Sequence, residues 1–156
     1  MELTGTMRTK SHSVTFIFVC ISLVGFILHL IWEYVQCSPL FIHLKVTPTV
    51  WSMICATFGD VGILWISHLA VAILNRSIIW PWSSQNRIAW MLLALISAGI
   101  ASIIEYFAVS RQLWTYSPIN PTFRGVSVVP IFQMVVINPL TILITKKLLI
   151  FRESIT

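Results

Sequence analysis

Of the five acidic residues in this chain, Glu2 and Glu153 lie in polar ends, whereas Glu33, Asp60 and Glu105 fall inside or at the ends of long apolar runs. Asp60 is the sharpest of the three, because it sits about nine residues into the run from Val50 to Asn75. A charge at that depth of a bilayer costs ~3 to ~10 kcal/mol, so an intramembrane carboxylate is by default a functional group with a partner. In a poorly hydrated cavity a carboxylic acid can keep its proton, and two carboxyls close together resist ionising both. Such an acid can protonate an alkene, epoxide or enol ether while a second carboxylate stabilises the cation or removes a proton elsewhere. The sequence therefore nominates Asp60, Glu33 and Glu105 as catalytic groups. His29, Trp32, Trp114, Tyr116, Arg111, Arg124 and Gln133 are nominated as substrate-binding groups, since the same topology brings them to one side of the membrane.

The elements that must position these residues follow from composition. Hydrophobic residues make up 57% of the 156 and charged residues 10%, against about 25% charged in soluble chains. Apolar runs at about 14–36, 50–75, 88–109 and 128–145 are each near the ~20 residues a helix needs to cross a ~30 Å core. The fold class expected is all-α, a polytopic membrane protein with four transmembrane helices in an antiparallel bundle. It comprises an N-terminal segment 1–12, one transmembrane domain 13–147 and a tail 148–156. The formal charge of +5 is scattered in short loops, which argues against nucleic acid. Arg8 and Lys10 precede the first run, Arg76 and Arg87 flank the second loop, and Lys146, Lys147 and Arg152 follow the fourth. Positive charge collects on the cytoplasmic side, so both termini are expected there and the first and third loops outside. The first run is too long for a signal peptide and lacks a small-residue cleavage pattern, so it is expected to be retained.

Helical spacing then assigns faces. His29, Glu33 and Gln36 share one face of the first span. Thr57, Asp60, Ser67 and His68 fall near one stripe of the second, where Gly59 and Gly62 would allow close helix approach beside the carboxylate. Ala94, Ser97, Ala98, Ala101 and Ser102 form a packing face on the third span that ends in Glu105. The outer loop Ser110 to Ser127, with Trp114, Tyr116 and two prolines, should be ordered as a lid. Pro130 suits a first helical turn, Gln133 follows about one turn deeper, and Asn138-Pro139 marks a kink.

Metal chemistry is weakly signalled, since His29 and Glu33 alone have helical ligand spacing within one span, and no metal or cofactor is expected. Cys20, Cys37 and Cys55 form no CxxC and read as packing residues. The expected partners are membrane lipids and a hydrophobic small molecule. Two other readings use the same residues: a small proton- or cation-coupled carrier or lipid-binding subunit, with His68 and Asn138 continuing the acids inward, and a non-catalytic membrane accessory protein.

The segments Leu30-Ile31-Trp32-Glu33-Tyr34-Val35-Gln36, Pro39-Leu40, Ala56-Thr57-Phe58-Gly59-Asp60-Val61, Glu105, Trp114-Thr115-Tyr116-Ser117-Pro118 and Pro130-Ile131-Phe132-Gln133 resemble a family of small uncharacterised bacterial four-span membrane proteins. That resemblance covers about residues 25 to 147 and implies a bacterial inner-membrane location, with no activity attached. Glu105 followed by Trp114-x-Tyr116 and a proline-led helix is also similar to integral-membrane carotenoid and terpenoid cyclases. Phe132-Gln133 stand where lycopene cyclase domains carry paired glutamates.

Overall fold

A computed structural model describes residues 13–45, 48–83 and 86–155. Its four long helices are α1 (Val14–Leu40), α2 (Val50–Leu74), α4 (Arg87–Ser110) and α5 (Val129–Ile155), with a short α3 (Trp80–Ser83) between the second and third. Each start that carries a capping side chain uses it as the sequence requires. Ser13 accepts from the Phe16 amide, Asn86 accepts from the Ile88 amide, and Thr49 and Ser52 form a reciprocal capping box. These caps satisfy amides that have no partner within their own helix.

The four long helices pack as a ring in the order α1, α2, α4, α5, back to α1. All four are long and apolar enough to cross a membrane. Large apolar side chains face outward along them, for instance Val19, Leu23, Ile27 and Ile31 at every fourth residue of α1. The inward stripe of α1 reads Ile17, Ile21, Gly25, His29 and then Gln36, apolar at one end and polar at the other. Arg152, near the end of α5, lies over the Phe16 ring at 4.9 Å, so the two ends of the bundle's chain meet at one face. There the core is apolar, built from Ile17, Ile21, Leu64, Val71, Leu93, Ile142 and Leu149. Trp80 of α3 is buried into it, and Lys146 Nζ donates to the Pro81 carbonyl at 2.8 Å. The opposite end holds the three acids and the two glutamines.

That polar end is covered by the two connections expected outside. β1 (Phe41–His43) pairs antiparallel with β2 (Trp114–Tyr116), matching Phe41 with Tyr116 and His43 with Trp114. Bonds from Leu44 N to Leu113 O, Ser117 N to Leu40 O and Asn120 Nδ2 to Leu40 O extend the junction. A second small ladder joins β3 (Thr122–Phe123) to β4 (Val126–Ser127), turned by Gly125 at φ 80°.

Several expectations need adjustment. α1 passes Pro39 to reach Leu40, four residues beyond the expected limit, and α5 passes Pro139 and continues through the expected tail. Charges such as Lys146 and Lys147 mark where a helix leaves an apolar phase, whereas helical hydrogen bonding carries on past that boundary. Gly59 and Gly62 are not close-approach points, since a Cβ at either would meet nothing within 4 Å. The tight crossing is at Gly25, where a Cβ would stand 3.0 Å from Leu64 Cδ2 and 3.3 Å from Thr141 Cγ2. The expected N-terminal segment 1–12 lies outside the described residues.

Candidate functional site

Glu33 and Gln36 on α1, Asp60 on α2, Glu105 on α4 and Gln133 on α5 all line one cavity of about 360 Å³. The remaining walls are mostly apolar and aromatic, among them Phe41, Ile63, Ile104, Trp114 and Met134. All four long helices thus contribute to the polar lining, α1 with two side chains and the others with one each. Their positions come from the inward stripes, whose polar members occupy the end of the bundle where the apolar core stops.

Gln133 is the hub. Its Nε2 donates to Asp60 Oδ2 at 2.8 Å and to His29 Nδ1 at 3.0 Å, and its Oε1 accepts from Gln36 Nε2 at 3.0 Å. Gln36 Nε2 also donates to Glu33 Oε1 at 2.6 Å, while Trp32 Nε1 donates to Gln36 Oε1 at 2.7 Å. His29 Nε2 then donates to Asn138 Oδ1 at 3.0 Å, and Asn138 Nδ2 to Ser97 Oγ at 2.9 Å. Each amide uses its oxygen as acceptor and its nitrogen as donor. This pattern sets the tautomer of His29, with the proton on Nε2 and a lone pair on Nδ1. A neutral His29 is consistent with its complete burial, and its 3.6 Å approach to Asp60 is a packing contact within the network.

Glu33 and Asp60 face the same cavity, and Gln36 and Gln133, which bond each other, hold one carboxyl each. Two carboxyls brought into one apolar-walled cavity resist ionising together, so such a pair can carry a transferable proton. Glu105 is fixed separately. Tyr116 Oη donates to its Oε2 at 2.7 Å and Trp114 Nε1 at 3.4 Å, both from β2. Burial, and then the neighbouring Glu105, push the Tyr116 phenol above its ordinary range, so it remains a donor.

Of the substrate-binding candidates, Trp114 and Gln133 line the cavity itself. His29 and Trp32 stand behind it, each bonded to one of the two glutamines. Tyr116 acts through Glu105. Arg111 and Arg124 do not pair with the acids: both are exposed, with their guanidinium groups over Phe107 at 5.7 Å and Phe123 at 5.6 Å. Loop cations prefer hydrated positions beside aromatic faces to entry into an apolar cavity. Asp60 bonds neither Thr57 nor backbone, since Thr57 Oγ1 donates to the Met53 carbonyl one turn earlier.

Sequence reasoning passed over Gln36 as a bridge and Cys37 as anything but packing. Both line the cavity with His43, whose Nε2 lies 3.1 Å from Cys37 Sγ. Burial holds the His43 imidazole below its ordinary pKa. No periodic signal could reveal this pair, because the chain leaves α1 and enters β1 between the two residues. Asn138 continues the network inward from the acids through Gln133 and His29, whereas His68 does not join it. His68 Nε2 bonds the Ile78 carbonyl at 3.0 Å, enclosed by the rings of Phe18, Trp65 and Trp80. Among the described residues no three His, Cys, Asp or Glu side chains come together as metal ligands.

Four apolar spans around a carboxyl-lined cavity define a multi-pass membrane protein with a polar site inside its bundle. No family model, curated protein or solved structure matches the chain.

Proposed function

We propose that this protein is an intramembrane acid–base enzyme acting on an isoprenoid or another lipid. The observation that carries the reading is the convergence of Glu33, Asp60 and Glu105 on one apolar-walled cavity, with the first two held by a bonded pair of glutamines. A proton carried by the Glu33 and Asp60 pair is delivered to a carbon–carbon double bond or epoxide oxygen. Glu105, steadied by Tyr116 and Trp114, faces the resulting cation and accepts a proton from a neighbouring carbon. The net change is an isomerisation or ring closure with no oxidant or reductant. Entry from the bilayer is supported by Ala56, Gly59 and Ile104, which line the cavity and are also exposed on the apolar outer surface. The separation of His68 from the network favours a site reached from one end over a proton path through the bundle. By the positive-inside argument that end faces outward, and the resemblance to small bacterial four-span proteins supports an inner-membrane location.

The test uses protein in lipid nanodiscs in deuterated water with isoprenoid alkenes and epoxides. Wild type should place deuterium at carbon, and Asp60→Asn should lose ~10²-fold or more of that rate with its helix content unchanged. Equal rates in the two proteins, or no incorporation together with unchanged lipids in a deletion strain, would sink the reading.

A further inference from the structure

The cavity also holds a group that acid–base chemistry on an alkene does not use. Cys37 Sγ and His43 Nε2 are 3.1 Å apart, within reach of a thiol–imidazole hydrogen bond, and both residues line the cavity. Nucleophile and base at this separation form the arrangement of covalent catalysis. His43 is held by its ladder pairing with Trp114, so its position derives from the β1–β2 junction and not from a free loop. Cys37 itself is only 5% exposed, and reagents reach it by way of the cavity. Cys55, by contrast, is exposed on α2, with no histidine bonded to it among the described residues.

The cavity defines the electrophile. Its walls are apolar, Gly59 and Ile104 connect it to the lipid-facing surface, and its acid pair can supply a proton to an oxygen. These features suit a long-chain α,β-unsaturated carbonyl compound, whose β-carbon accepts a thiol and whose carbonyl oxygen accepts a proton.

We propose that Cys37 and His43 form a nucleophile–base pair that adds covalently to lipid-borne α,β-unsaturated carbonyls. The thiol proton passes to His43 Nε2 and Sγ forms a bond to the β-carbon. The electron pair of the carbon–carbon double bond moves through to the oxygen, which takes a proton from the Glu33 and Asp60 pair. Tautomerisation gives the saturated carbonyl thioether, and the proton on His43 returns to the acid pair. The elements of the thiol have added across one double bond, with no change of overall oxidation state.

The experiment reads adducts of trans-2-dodecenal at each cysteine by peptide mass spectrometry, on the full chain in nanodiscs, with Cys55 as the internal reference. Cys37 should react at least tenfold faster than Cys55. His43→Gln should remove that advantage and leave Cys55 unchanged. Gly59→Leu, at a position where added atoms meet nothing within 4 Å of Cβ, should slow Cys37 alone by narrowing the opening. Equal rates at the two cysteines, or a Cys37 rate indifferent to His43→Gln, overturns the proposal. Adduct formation and deuterium transfer are separate readouts, so either activity can fail without the other.

Discussion

Gln133 and Asp60, on α5 and α2, are joined by a 2.8 Å hydrogen bond from Nε2 to Oδ2, although 73 residues separate them in the chain. The same nitrogen also serves His29, so one side-chain amide orients an acid and an imidazole together. The two helices have little other contact, which gives this bond an outsized part in setting their rotation.

Replacing Gln133 by Leu should therefore destabilise the bundle by about 1–3 kcal/mol, the usual cost of leaving buried polar groups unpaired. Asp60, His29 and Gln36 each lose a partner in that variant. Thermal unfolding in nanodiscs, followed by far-ultraviolet circular dichroism, checks it, and a midpoint equal to wild type would contradict the hub role.

Gly25 and Gly59 should respond oppositely to the same change. Gly25→Val forces a branched side chain against Leu64 and Thr141 and should cost about 1–3 kcal/mol. Gly59→Val should fold as wild type does, because its surroundings are open. The pair of unfolding midpoints decides the matter.

Tyr116→Phe removes the 2.7 Å donor to Glu105 and should lower deuterium transfer by roughly tenfold, about what the loss of one well-placed donor costs. It should also change the alkaline limb of the stability curve. The folded protein holds the phenol proton more tightly than the unfolded chain does. Its contribution is full below the ordinary value of about 10 and is lost as pH rises through the folded value. The variant should show a flatter alkaline limb in unfolding measured from pH 8 upward.

His43 has the opposite sign. Burial lowers its pKa, so the unfolded chain takes up this proton more readily. Stability from the neutral ring is full above about pH 6.5 and declines as pH falls toward the folded value. His43→Gln should flatten the acid limb, and the imidazole resonances of wild type should titrate below the ordinary histidine range.

Much of this architecture was legible in the sequence for a simple reason. Hydropathy over about twenty residues reports a span whatever its neighbours are, and the spacing of Ala94, Ser97, Ala98, Ala101, Ser102 and Glu105 reports one helix face. Both are local properties, and the structure buries Ser97, Ala101 and Glu105 of that face and leaves Ala94, Ala98 and Ser102 half-buried at its margin. The β1–β2 ladder was not legible, because three-residue strands carry too few alternations to register and pair residues far apart. Arg111 and Arg124 were misplaced for a related reason: proximity in the chain to the acids says nothing of which way a loop cation turns.

The sequence by itself determined that four helices cross an apolar phase and that three carboxyls lie on or within them. Only tertiary structure decided that Glu33 and Asp60 share one cavity, that Glu105 is held by Tyr116, and that Cys37 meets His43. Periodicity specifies a face but not the rotation of one helix against another. That rotation comes from packing at points such as Gly25 against Leu64 and from bonds such as Gln133 to Asp60, which exist only once the helices have met.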